Sequence, residues 1–136
     1  MRPEDMASME IDVLRGCGLS ARKAEYLLDL AGKFTDGTLH RTQWESMDDE
    51  AIITELVKVR GIGRWTAEMF LVFNLQRPDV LPLDDLGLQR AVQRHYFRGR
   101  VVTSARIRKL GEAWQPWRSV ATWYLWRSLE PVPVEY

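Results

Sequence analysis

The 136-residue chain, 46% of it hydrophobic, is large enough for one buried core and too apolar for a disordered segment. Cys17 stands alone, which excludes an internal disulfide and any cysteine-ligated zinc or iron–sulfur centre. Formal charge sums to zero, yet residues 1–85 carry 10 basic and 16 acidic side chains while residues 86–136 carry 9 and 3, so a neutral protein can still present one positive face.

The opening Met1-Arg2-Pro3-Glu4-Asp5-Met6 is too polar for a signal peptide, and no run reaches the roughly 18 apolar residues of a membrane span. A cytoplasmic protein without a membrane partner is expected. Residues 3–16 read as a helical turn and a short helix, with Ile11, Val13 and Leu14 apolar and Gly16 and Gly18 ending it. Ser20 is the N-cap of a helix whose stripe is Ala24, Leu27, Leu28 and Ala31, closed at Asp36-Gly37-Thr38. Residues 39–47 form a connector with about one helical turn. Ser46 and Asp49 have capping-box spacing, which starts the next helix near Asp48.

That helix carries Ile52, Ile53, Leu56 and Val57, and a second, from Arg64 to about Leu75, carries Trp65, Met69, Phe70 and Phe73. Between them stands Val59-Arg60-Gly61-Ile62-Gly63, too short for an ordinary loop, so residues 50–75 fold as a tight helical hairpin. Gly61 and Gly63 are expected to allow positive φ and close approach to something bulky, and Gly63 directly precedes the second helix. A helix N-terminus of this kind aims backbone N–H groups outward, where a phosphate is the natural occupant.

Arg77-Pro78-Asp79 ends the second hairpin helix, and Leu81-Pro82-Leu83 is an apolar extended linker expected to cross the core. Asp84 sits where an N-cap belongs. Asp85 then takes the first helical position, on one face with Leu88 and Val92, and Leu88, Ala91, Val92 and Tyr96 make the buried stripe. A carboxylate on such a face needs a task or a partner, and a helix N-terminus favours an anion. Beside a glycosidic carbon it would stabilise an oxocarbenium-like transition state and orient water. Thr103 or Ser104 caps a helix with Ile107, Leu110 and Trp114; Pro116 opens the last one, which runs from Trp117 to about Leu129 and stops at Pro131-Val132-Pro133. Most of the six tryptophans are expected in the core. Arginines dominate the basic half: Arg90, Arg94, Arg98, Arg100, Arg106, Arg108, Arg118 and Arg127. No segment alternates with period two, and the fold is expected to be all-α.

Three stretches together, Val59-Arg60-Gly61-Ile62-Gly63-Arg64-Trp65-Thr66-Ala67, Leu81-Pro82-Leu83-Asp84-Asp85-Leu86 and Trp114-Gln115-Pro116-Trp117-Arg118-Ser119 with Trp126, resemble the alkylpurine branch of the helix-hairpin-helix DNA glycosylase superfamily. From about Leu14 to Trp126 the chain is similar to the C-terminal half of bacterial 3-methyladenine DNA glycosylase II. The resemblance implies a monofunctional glycosylase that hydrolyses the N-glycosidic bond of alkylated purines in duplex DNA. It makes Asp85 the catalytic aspartate, Trp126 a wall of the base pocket, Trp65 a neighbour of it, and Met69 the residue standing where the family has a pocket aromatic. Gly61, Gly63, Arg64 and Thr66 would hold DNA phosphate. The carbonyls of Val57, Val59 and Ile62 would hold a monovalent cation, Na+ or K+; no other cofactor is required. Trp65 stands where lyase-competent relatives have a Schiff-base lysine, which disfavours a lyase. An alkylated purine is cationic, so it leaves readily and is attracted to tryptophan faces.

The family domain begins with further helices, one of whose loops carries a wedge residue, so this chain reads as a single partial domain, 1–136. The apolar faces of helices 20–33 and 64–75 are then expected to lack cover, which favours a homodimer or a separate N-terminal half. Bacterial, nucleoid-associated localisation follows from the resemblance. Two other readings stay open: a non-catalytic helix-hairpin-helix DNA-binding module or inactive remnant, and a glycosylase for another lesion.

Overall fold

The computed structural model describes residues 2–130, and they contain helices, turns and no strand. Eight α-helices follow in order: α1 (Pro3–Ala7), α2 (Ile11–Gly16), α3 (Ala21–Thr35), α4 (Asp49–Leu56), α5 (Arg64–Phe73), α6 (Leu86–Tyr96), α7 (Ser104–Gly111) and α8 (Arg118–Arg127). They form two compact units, Met1–Ala67 and Glu68–Tyr136, with the division falling inside α5. No helix of the described residues is long and apolar enough to cross a membrane.

In the first unit, α1 and α2 pack on α3. The Ser20 hydroxyl accepts the Lys23 N–H at 3.3 Å, and Gly37, at φ +81°, turns the chain out of α3. Of the expected stripe, Ala24 and Ala31 are fully buried, and Leu27 and Leu28 half-buried. Of the two bare apolar faces expected, that of α3 exposes no large side chain, while α5 leaves Trp65 and Phe73 46% and 63% exposed. On α2, Leu14 is buried but Val13 faces solvent. The expected capping box does not form: the Ser46 hydroxyl donates to the Gln43 carbonyl, and Asp48 Oδ1 caps α4 by accepting the Ala51 N–H at 2.7 Å. The helix still starts near the expected place, at Asp49, with Asp48 rather than Ser46 as its cap.

Glu55 is buried on α4 and ties the connector to it, accepting the Trp44 indole N–H at 3.0 Å and the His40 backbone N–H at 3.1 Å, with the His40 ring also against it. Burial pushes its carboxyl up, but these partners outweigh that and hold it below the usual range.

The second unit is built on Leu88, Ala91, Val92, Ile107 and Leu125, with Leu81, Leu83, Phe97, Val102, Leu110, Trp114 and Leu129 packed against them. Tyr96, expected in this stripe, is 49% exposed, because Phe97 past the helix end takes the inward place. Thr103, not Ser104, caps α7. The linker enters the core as expected, with Pro82 fully buried. Segment 77–80 is stitched to the start of α8: Ser119 donates its hydroxyl to the Arg77 carbonyl at 2.7 Å and accepts the Val80 N–H at 2.9 Å, while the Arg118 guanidinium forks onto Asp79 at 2.8 and 2.9 Å. Pro116 follows a cis peptide bond and precedes the helix, so Trp117 is the N-cap residue. The proline stop at 131–133 lies outside the described residues. Only Trp44 of the six tryptophans is fully buried; Trp65, Trp117 and Trp123 are exposed, so the expectation of a mostly internal set fails.

Candidate active site

The hairpin forms at the expected place. Helix α4 ends at Leu56, α5 begins at Arg64, and Val59 is buried between them. The glycines divide the work differently from the sequence reading. Gly61 alone has positive φ, +85°, and a Cβ there would lie 2.2 Å from the Tyr26 ring, so the bulky neighbour belongs to α3 of the protein itself. Gly63 lacks positive φ, and a Cβ on it would meet nothing within 4 Å among the described residues.

Helix α3 also holds the loop by its backbone, since Asp29 Oδ2 accepts the Arg60 N–H at 2.7 Å; that bond, more than the nearby Lys33 ammonium, sets its carboxyl below the usual range. Ile62 N–H is spent on the Val59 carbonyl at 3.1 Å. Among the described residues, the N–H groups of Gly61, Gly63 and Thr66 have no hydrogen-bond partner. These are three of the four residues expected at phosphate. The fourth, Arg64, has its guanidinium forked onto Glu50 of α4, so its charge is already paired, and Arg60 reaches Glu25 at 3.5 Å. The Trp65 indole is 46% exposed.

In the second unit, the helix start lies one residue later than the spacing suggested. Asp85, not Asp84, is the N-cap of α6: its Oδ2 accepts the Leu88 N–H at 2.6 Å, while Asp84 is exposed. The reason is local backbone geometry. The Asp85 N–H is donated to the Pro82 carbonyl at 3.0 Å and the Gln89 side chain to the Leu83 carbonyl at 2.8 Å, which turns the linker before Asp85. Capping and burial therefore fall on one carboxylate, Asp85, and Asp84 is not the cap expected from the spacing.

The same Oδ2 accepts the Trp126 indole N–H at 2.6 Å. Two residues expected at the site, 41 positions apart, thus touch. Phe73 stacks on Trp126 with centroids 5.9 Å apart and planes within 15°, and is itself 63% exposed. Gly87 makes this arrangement possible, since a Cβ there would stand 2.9 Å from Trp126 and 3.0 Å from Asp85 Oδ2. Met69 is half-buried on α5. Phe73 and Gly87 carried no separate signal in the sequence beyond an apolar helix position and a glycine inside a helix.

The arrangement is an acceptor fixed by a backbone donor and an indole, beside an accessible aromatic pair. It can place negative charge against an electron-poor centre. Among the described residues no group of three or more His, Cys, Asp or Glu could hold a metal ion.

Comparisons with known proteins agree on the fold and its kind. Over 129 residues the chain is 40% identical to a putative DNA-3-methyladenine glycosylase of Bacillus subtilis, YfjP, covering 95% of this chain and 45% of that one. The crystal structure of a DNA-3-methyladenine glycosidase from Bacillus halodurans superposes with a TM-score of 0.87 at 37% identity, over 93% of this chain and 58% of that one. The 3-methyladenine DNA glycosylase of Schizosaccharomyces pombe, solved with abasic DNA, gives 0.78 at 36% identity, over 93% and 62%. The chain spans about half the length of the curated relatives it matches. Residues 1–116 match the HhH-GPD family of base excision DNA repair proteins, and with the hairpin and the buried aspartate in place the chain belongs to that superfamily.

Proposed function

We propose that this chain supplies the catalytic part of a monofunctional DNA N-glycosylase that removes an alkylated purine such as 3-methyladenine from duplex DNA. The observation that carries the reading is the Asp85 carboxylate, 9% exposed and held by Leu88 N–H and the Trp126 indole. In a cationic nucleoside the C1′–N bond breaks with its electron pair going to the base, which leaves neutral. Asp85 stabilises the oxocarbenium-like sugar left behind and orients water on C1′; the water's proton passes to Asp85 or to solvent.

Base recognition rests on stacking and on cation–π attraction to aromatic faces, with Trp126 and its Phe73 partner in the second unit. Trp65 and Met69 keep the base-facing role that the resemblance gives them. Duplex phosphate is received at the N–H groups of Gly61, Gly63 and Thr66. A monovalent cation would be held by carbonyls of Val57, Val59 and Ile62; the Val59 oxygen takes one hydrogen bond and has a second lone pair for it.

The test is release of free 3-methyladenine from methylated duplex DNA, followed by chromatography. Asparagine caps a helix as well as aspartate does, so Asp85→Asn keeps the fold while removing the charge. A loss of about 100- to 1,000-fold is expected from such a change. Equal release by the variant would sink the reading.

A further inference from the structure

Residues 86–111 contain seven cationic side chains, Arg90, Arg94, Arg98, Arg100, Arg106, Arg108 and Lys109, and not one Asp or Glu. All seven are exposed. The guanidinium groups of Arg90, Arg94, Arg98, Arg100 and Arg108 have no ion-pair or hydrogen-bond partner among the described residues. Arg106 lies over the Phe97 ring at 5.0 Å, which joins the end of α6 to the start of α7, and only Lys109 meets a carboxylate, Glu112 at 3.9 Å.

Elsewhere the chain pairs many of its cations, although Arg22, Lys23, Arg41 and Lys58 have no ion-pair partner among the described residues. Arg60 is paired with Glu25, Arg64 with Glu50, Arg118 with Asp79 and Arg127 with Glu130. The hairpin therefore offers backbone N–H groups and, of its three cations, only Lys58 without a carboxylate partner. Salt-dependent affinity for a polyanion comes from cations that release counterions, so most of it has to come from elsewhere.

We infer that α6, α7 and the loop joining them form a nucleic-acid surface that supplies most of the electrostatic and sequence-independent hold on duplex DNA. This rests on the DNA-directed reading above and adds to it where the charge acts. Six of the seven cations are arginine, whose planar fork matches two phosphate oxygens. Arg90 and Arg94 are one turn apart, about 6 Å along α6, on the side away from Leu88, Ala91 and Val92. An anionic membrane fits less well, because a surface helix needs a free apolar face and that of α6 is buried in the core.

The experiment replaces Arg90, Arg94 and Arg108 together by glutamine, which keeps helix propensity, and by lysine as a charge-keeping control. Binding to a short undamaged duplex is followed by fluorescence anisotropy over a salt series, with circular dichroism to check the fold. The slope of log affinity against log salt is expected to become shallower by about 2–3 in the glutamine triple. The lysine triple is expected to keep the parent slope. A glutamine triple with the parent's slope and affinity overturns the inference while leaving the excision reading intact. Loss of binding to phosphatidylserine vesicles without a change on DNA overturns it as well. A parent chain that binds no duplex at all would overturn the DNA reading itself, and this inference with it.

Discussion

The hairpin and the Asp85 site are built by opposite means. At the hairpin, the groups proposed to work are backbone N–H groups, and side chains hold that backbone: Tyr26 walls Gly61, Asp29 takes the Arg60 N–H, and Glu50 takes the Arg64 guanidinium. At Asp85 the parts proposed to work are side chains, and the Pro82 and Leu83 carbonyls fix the backbone that carries them. The first should tolerate side-chain changes that spare its glycine conformations. The second should fail on small shifts of atoms.

The largest effect is expected from Gly61→Ala. A left-handed φ costs about 1–2 kcal/mol for a non-glycine residue and overpacking about 1–3, and the Tyr26 ring has no slack at 2.2 Å. Thermal unfolding should show a loss of roughly 2–5 kcal/mol. Gly63→Ala, with an ordinary φ and open space, should leave the melting temperature nearly unchanged. Equal losses in the two variants would erase the division of labour between the glycines.

Gly87→Ala probes the other region. It should lower excision by about 10- to 100-fold, because Trp126 or Asp85 must move by a few tenths of an ångström or more. Stability should change less, since alanine favours a helix over glycine by about 1 kcal/mol. Parallel loss of stability and activity would show that packing, not placement, is at stake.

Asp79→Asn tests the support of α8, which carries Trp126. The Arg118 guanidinium beside Asp79 holds its carboxyl below the usual range, against a smaller opposing effect of burial. A folded-state value below the unfolded one adds stability that is fully present above about pH 4 and is lost as pH falls through the folded value. The variant should be about 1–3 kcal/mol less stable at neutral pH, and the gap from the parent should close below about pH 4. A constant gap down to acid would show that the pair does not carry the difference. The smallest effect is expected for Asp84→Ala: exposed and not the cap, it should cost less than about 0.5 kcal/mol. A loss of a full cap's worth, about 1 kcal/mol, would return the helix start to Asp84.

What the sequence determined by itself was whatever depends on neighbours along the chain. Helical periodicity marked the helices, Ser20 and the Thr103-Ser104 pair marked starts, and the contiguous Val59–Thr66 string marked a hairpin whose open N–H groups lie where expected. The family resemblance picked out Asp85 and Trp126 separately. Tertiary structure decided what depends on residues far apart. Spacing along the chain put the cap on Asp84, and only the Pro82 and Leu83 carbonyls, with Trp126 arriving from 41 positions away, selected Asp85 instead. Likewise a tryptophan's type says it can be buried, not which face of its helix the rest of the molecule covers; hence Trp44 is inside and Trp65 is half in solvent. The basic run at 86–111 was visible as composition. That its arginines are left without carboxylates, while those at Arg60, Arg64 and Arg118 are paired, depends on carboxylates brought near by folding.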